Sequence, residues 1–185
     1  MIFFVDMDGV LVDFPAGVAK KFGVAVNDEM LALGEEMYTY FGISQKEFWG
    51  VIGDDPSWWA DLPSYPWTDR LIEVCRSLGE FYIATSPPKM SPACAACSGT
   101  GKMEWLRRKF GWDFRNFFIG AHKHMLAAPD RVLIEDKPDR CEDFERMGGR
   151  SILLPQPWNG GKGTPEDVVD RLESREYDWL KPVAG

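Results

Sequence analysis

Asp6 and Asp8 stand two apart directly after the apolar run of residues 2–5, and period-2 geometry at a strand end lets both carboxylates face the same way. Carboxylates held that close repel unless a cation or a shared proton relieves them. Asp136, just beyond the apolar run 132–134, completes an oxygen-rich set of the kind Mg²⁺ takes, since that ion needs few carboxylates and keeps several waters. Neutralising Asp6 in such a cluster is expected to stabilise the metal-free protein. Thr85 and Ser86 follow a third apolar run, residues 81–84, and offer hydroxyls and backbone N–H groups to an anionic oxygen. Lys123, flanked by His122 and His124, lies a short loop ahead of the 132–134 run and can bring a compact positive charge to the same edge. Turn capping is the plain alternative for Asp6, Asp8 and the Thr85-Ser86 pair, and solvated surface is the plain alternative for Lys123. Three apolar runs that all stop at polar clusters weigh against it.

The elements that must position these groups are legible around them. Leu71, Val74, Cys75 and Leu78 fall at i, i+3, i+4 and i+7 with Gly79 after them, an amphipathic helix feeding the 81–84 strand. Met103, Leu106 and Phe110 repeat the pattern before Gly111, and Phe144 and Met147 do so before Gly148-Gly149 and the strand-like residues 151–154. Thr164 is a good N-cap, with Pro165 at the first helical position and Glu166 and Asp167 in the first turn. Helices alternating with buried strands predict an α/β fold, a Rossmann-like parallel sheet with flanking helices. Residues 14–67 break the alternation. They are rich in Phe and Trp, carry helix starts such as Ser44-x-x-Glu47 and offer no strand, so they read as a small helical cap inserted after the first strand, over the carboxyl edge of the sheet. Two units follow: an α/β core of residues 1–13 and 68–185, and a cap of residues 14–67.

Composition limits the partners. The 185 residues are 45% hydrophobic, and 21 Lys+Arg against 29 Asp+Glu give a net charge of −8, a profile without the basic stripe a nucleic-acid polymer requires. Asp6 interrupts the apolar start too early for a signal-peptide core, and no run approaches a membrane span. Four cysteines do not make a disulfide framework, so a reducing, cytoplasmic setting is expected. Cys94-x-x-Cys97 with His122 and His124 would supply four zinc ligands, but small residues in a surface loop, 91–101, are the favoured reading.

Asp6-Met7-Asp8-Gly9-Val10-Leu11, Thr85-Ser86, Lys123 and Glu135-Asp136 resemble, in order and spacing, the four motifs of the haloacid dehalogenase superfamily. Residues 6–14, Phe48-Trp49, Thr85-Ser86-Pro87-x-Lys89-Met90, the helix end from Trp105 to Phe114 and Asp136-x-Pro138-Asp139 are similar more closely to the 5′(3′)-deoxyribonucleotidases. The likeness runs from residue 1 to about 140 and weakens in the cap before Phe48. It implies Mg²⁺-dependent hydrolysis of a phosphomonoester, with Asp6 as nucleophile to an aspartyl-phosphate and Asp8 as acid and then base. It implies Mg²⁺ held by Asp6, the Asp8 carbonyl and Asp136, and phosphoryl oxygens held by Ser86 and Lys123. Thr85 and Lys89 would border the substrate, and Phe14, Phe48 and Trp49 would stack on or enclose a base, unless these rings form the cap's own core. Glu135 stands where the relatives carry an aspartate. The expected partner is a small phosphomonoester, foremost a (deoxy)nucleoside monophosphate, with no membrane and a homodimer left open. A sugar phosphate, or a non-catalytic nucleotide-binding module, is the alternative.

Overall fold

The computed structural model describes residues 1–180. In chain order the elements are β1 (Ile2–Val5), α1 (Phe14–Phe22), α2 (Asp28–Ala32), a 3₁₀ segment (Gly34–Thr39), α3 (Gln45–Ile52), α4 (Pro56–Ala60), α5 (Thr68–Leu78), β2 (Glu80–Thr85), α6 (Pro92–Phe110), β3 (Phe117–Ile119), β4 (Arg131–Glu135), α7 (Pro138–Arg146), β5 (Arg150–Leu153) and α8 (Pro165–Glu173). The five strands form one sheet in the order β3-β2-β1-β4-β5, and all four pairings are parallel.

Continuous apolar runs become strands here because both faces of the sheet are covered. On one face Phe3, Val5, Ile83, Val132 and Ile134 pack with Leu71 and Cys75 of α5, Leu106 of α6 and Val169 and Leu172 of α8. Phe4, Ala84 and Leu133 point to the other face and meet Phe144 of α7. Connections from β1 lead to one side of the sheet and those from β4 to the other, so the strand order reverses between these neighbours. That reversal opens a crevice at their carboxyl ends, the place where open α/β sheets seat ligands.

Everything described between β1 and α5 is helix or loop, apart from isolated bridges at Val12. The capping box expected at Ser44 and Glu47 starts α3, and Thr164 with Asp167 starts α8 in the same way. The inserted helices hold an apolar cluster of their own, in which Val18, Met30, Met37, Phe48 and Ile52 are buried.

One expectation is overturned. Residues 92–101 are not a loop: Ser91 accepts a hydrogen bond from the Cys94 N–H, Pro92 occupies the first turn, and α6 runs unbroken to Phe110. Small residues serve this helix because it crosses α4 closely; a Cβ on Gly101 would lie 2.3 Å from Trp59 Cβ and 2.4 Å from the Pro56 carbonyl. Cys94 is accordingly buried, and burial pushes its thiol up to about 11. All four cysteines are free thiols, and β3, only three residues long, carried no sequence signal.

Candidate active site

The end of β1 hands the chain directly to Asp6, whose N–H still pairs with the Ile134 carbonyl of β4. The turn that follows folds back on Met7, whose carbonyl accepts from Val10, Leu11 and Val12. Gly9 sits at φ +81° in this turn, where a Cβ would come within 2.5 Å of Asp136 Oδ2. A side chain at that position is therefore excluded by both backbone and space.

Asp6, Glu135 and Asp136 converge: each offers an oxygen, and these oxygens all lie within 4.8 Å of one another. Among the described residues no other set of His, Cys, Asp and Glu does so, and the Cys94, Cys97, His122 and His124 set is not brought together. Burial would raise the Asp6 carboxyl, but the positive charge of Lys123, then of Lys102 and Arg140, holds it down at about 2. Lys123 Nζ lies 2.7 Å from Asp6 Oδ1 and 2.6 Å from Glu135 Oε2. Three cations thus relieve the charge of Asp6 and keep it ionised. Burial, and then the Asp6 charge, push Glu135 well above the usual carboxylate range against the pull of Lys123. Burial also raises Asp136.

Asp8 is paired with a residue the motifs did not indicate. Lys102 of α6 is 1% exposed and donates to Asp8 Oδ2 at 2.6 Å, Thr85 Oγ1 at 2.9 Å and the Ser86 carbonyl at 2.7 Å. Its three N–H donors are thereby filled. Asp8 Oδ1 and Asp136 Oδ1 are buried oxygens without a hydrogen-bond partner. A divalent cation suits the orphaned Asp136 oxygen beside Asp6 and Glu135, so that donor set fits Mg²⁺.

Ser86 and Lys123 both stand at this edge, beside Asp6. The Ser86 hydroxyl donates to the Gly120 carbonyl at 3.0 Å and accepts from Arg140 Nη1 at 2.9 Å, and Lys123 is sunk between Asp6 and Glu135. Thr85 Oγ1 accepts from Lys102, which leaves its own proton free. Beyond these groups a cleft of about 520 Å³ opens under the inserted helices, lined by Phe14, Phe48, Trp49, Trp59 and Lys89 besides the carboxylates. Phe48 is 2% exposed and stacks on Phe22 inside the insertion, whereas half-buried Trp49 lies parallel to Trp59 at 6.2 Å and meets Phe14 at the same distance. Lys89 is exposed at the rim.

Three further residues reach the site that sequence reading missed. Trp158 donates its indole N–H to Asp136 Oδ2 at 2.8 Å, Asn159 holds the Asp136 carbonyl at 2.8 Å, and Gln156 holds the Gly9 carbonyl at 2.7 Å. Their only sequence signal was a Gln-Pro-Trp-Asn stretch directly after the last strand.

Solved structures share the architecture. A hydrolase from Streptococcus pneumoniae TIGR4 is similar at a TM-score of 0.57 and 12% identity over 93% of this chain and 97% of its own. A HAD-hydrolase, YfnB, from Bacillus subtilis, whose structure is bound to magnesium, reaches 0.51 at 12% identity over 83% and 86%. The fold is that of the haloacid dehalogenase-like hydrolases. The mitochondrial 5′(3′)-deoxyribonucleotidases of Homo sapiens and Mus musculus are 28% and 29% identical over 147 residues, 73% of this chain. The chain spans 61% and 64% of the length of these two relatives. Residues 1–166 match the model of the family described as 5′ nucleotidase, deoxy (Pyrimidine), cytosolic type C protein, and the chain belongs to that family.

Proposed function

We propose that the protein is a Mg²⁺-dependent phosphatase of (deoxy)nucleoside monophosphates. The observation that carries the reading is Asp6: a buried carboxylate kept ionised by Lys123, at the mouth of the crevice between β1 and β4, with Asp8 two residues on. Oδ1 of Asp6 accepts from the Met7 N–H at 2.7 Å and faces Lys123, which leaves Oδ2 to attack phosphorus in line with the leaving oxygen. Asp8 is held by Lys102 through Oδ2, so Oδ1 is the atom that passes a proton to the leaving alcohol and later takes one from water. The Thr85 hydroxyl, with its proton free, donates to a phosphoryl oxygen. Asp6, Asp136 and the Asp8 carbonyl, with Glu135 alongside, would hold Mg²⁺, which supplies charge neutralisation between an anionic nucleophile and an anionic phosphate.

Residues 14–67 act in this reading as a cap. Trp49 and Phe14 present aromatic surface to the cleft, where a base can stack, while Phe48 chiefly supports them from the cap's interior. Lys89 at the rim borders the substrate. The relatives' name supports a nucleotide substrate, and the aromatic wall supports it independently. The four free thiols fit a reducing compartment such as the cytoplasm.

Turnover of an aryl phosphate with Mg²⁺, followed by a panel of nucleoside monophosphates against sugar phosphates, tests the reading. Higher kcat/KM on the nucleotides is expected. Preference for a baseless phosphate would move the assignment to the sugar-phosphate alternative, and no turnover at all would leave only a binding module.

A further inference from the structure

We infer that Trp158, in the loop that follows β5, is the positioning residue that presents Asp136 to Mg²⁺ and joins that ligand to the inserted helices. The inference rests on the Mg²⁺-dependent reading above. A carboxylate beside a metal turns about its Cβ–Cγ bond unless another group holds it, and losing such a group costs about 10- to 100-fold in metal affinity. Asp136 is held at two atoms. Its Oδ2 accepts the indole N–H of Trp158 at 2.8 Å and its carbonyl accepts from Asn159 Nδ2 at 2.8 Å, while Oδ1 is buried with no hydrogen-bond partner. The indole is a neutral donor, so it fixes the carboxylate without setting a positive charge beside the place of the cation, and Oδ1 is left as the ligand atom next to Asp6 and Glu135.

The loop is built to keep the indole in place. Asn159 donates to the Leu154 carbonyl at 2.8 Å as well as to Asp136, and its own Oδ1 accepts from the Gln156 N–H at 3.0 Å and the Gly161 N–H at 2.9 Å. Both donors and both acceptor positions of the amide are thereby filled, which closes the loop on itself and on Asp136. Trp158 also meets the insertion. A Cβ on Gly34, at φ +52°, would lie 2.9 Å from Trp158 Cβ and 3.2 Å from its Cγ, so the 3₁₀ segment Gly34–Thr39 begins directly against this side chain. Glu35, the next residue, pairs with Lys137, the residue after Asp136. Two contacts therefore run from Asp136 and its neighbour to one point of the insertion, and a metal that fixes Asp136 fixes both.

Titration calorimetry of Mg²⁺ into the full chain, without substrate, tests the inference on wild type and Trp158→Phe, a change that removes the N–H and keeps a ring against Gly34. The variant should bind Mg²⁺ about 10- to 100-fold more weakly. On an aryl phosphate the Mg²⁺ concentration for half-maximal activity should rise by the same factor, with most of kcat returning at saturating Mg²⁺, a split that a general loss of structure does not produce. Hydrogen exchange on the wild type reads the link to the insertion without any variant: Mg²⁺ should slow exchange across residues 34–39. Equal Mg²⁺ affinity in wild type and Trp158→Phe, or a kcat that saturating Mg²⁺ does not restore, overturns the part given to Trp158 and leaves the phosphatase reading intact. Exchange at 34–39 that is indifferent to Mg²⁺ overturns the link to the inserted helices. A wild type that binds no Mg²⁺ overturns the metal-dependent reading itself.

Discussion

Replacing Asp6 by asparagine separates its chemistry from its packing. The amide nearly matches the carboxylate in shape but cannot be the nucleophile, so Asp6→Asn should lose all but a trace of turnover. The stability effect has the opposite sign to that expected from carboxylate repulsion alone. Lys123, Lys102 and Arg140 together outweigh burial at Asp6, and removing its charge leaves Lys123 with Glu135 as its remaining anionic partner. Asp6→Asn should destabilise the metal-free protein by about 1–3 kcal/mol in a denaturant titration; a higher midpoint than wild type would restore the repulsion picture. Lys102→Met should cost on the order of 2 kcal/mol, below the 3–5 of a fully buried pair because the Asp8 side chain is 30% exposed. Its kcat should fall as well, as Asp8 and Thr85 both lose their holder, and unchanged kcat would remove Lys102 from the site.

At the scale of elements, the crossing of α4 and α6 ties the aromatic wall to the catalytic edge. Lys102 stands one residue beyond Gly101, which packs against Trp59, and Trp59 in turn backs Trp49. Gly101→Ala must push the two helices apart, with an overpacking cost of about 1–3 kcal/mol in the melting transition. Because the wall moves with α4, KM for nucleotides should rise more than KM for a baseless phosphate; equal changes would mean that the crossing supports the fold without shaping the cleft. Trp49→Ala probes the wall directly. It should cost about 1–3 kcal/mol of kcat/KM on nucleoside monophosphates and little on a small phosphate. Equal losses on both would assign Trp49 to the packing of the insertion.

For the molecule as a whole, the buried acids give opposite pH signatures. Asp6 is held below its ordinary 3.8, so its contribution is present above that pH and is lost as pH falls toward about 2. Glu135 and Asp136 are raised, so the folded state binds more protons than the unfolded chain above their ordinary values of 4.5 and 3.8, and stability falls as pH rises from there. In chelator the melting temperature should therefore peak on the acid side of neutrality. Mg²⁺ bound as proposed would relieve both acids, so at neutral pH it should stabilise by about 2.7 kcal/mol when present at 100 times its dissociation constant. Melting curves from pH 4 to 8 with chelator and with Mg²⁺ check this, and a Mg²⁺ effect independent of pH would contradict it.

The sequence by itself determined whatever depends on neighbours along the chain. Strands β1, β2 and β4 were legible because a parallel strand buried on both faces is apolar nearly throughout, β5 because a strand-like run follows the helix end at Gly148-Gly149, and the caps at Ser44 and Thr164 because a capping box closes within four residues. The positions of Asp6, Asp8, Thr85 and Asp136 at one sheet edge followed from strands that end in polar clusters. Tertiary structure decided which charge meets which. Lys102 and Asp8 are 94 residues apart, Arg140 and Ser86 are 54 apart, and Trp158 reaches Asp136 from the far side of β5. In sequence each of these looks like an ordinary lysine, arginine or tryptophan. The helix at residues 92–101 hid for a related reason: its small side chains answer to the surface of α4, a partner that periodicity along α6 cannot reveal. Local propensity acts over a few residues, whereas a buried charge is placed by whichever opposite charge the folded sheet brings within about 3 Å of it.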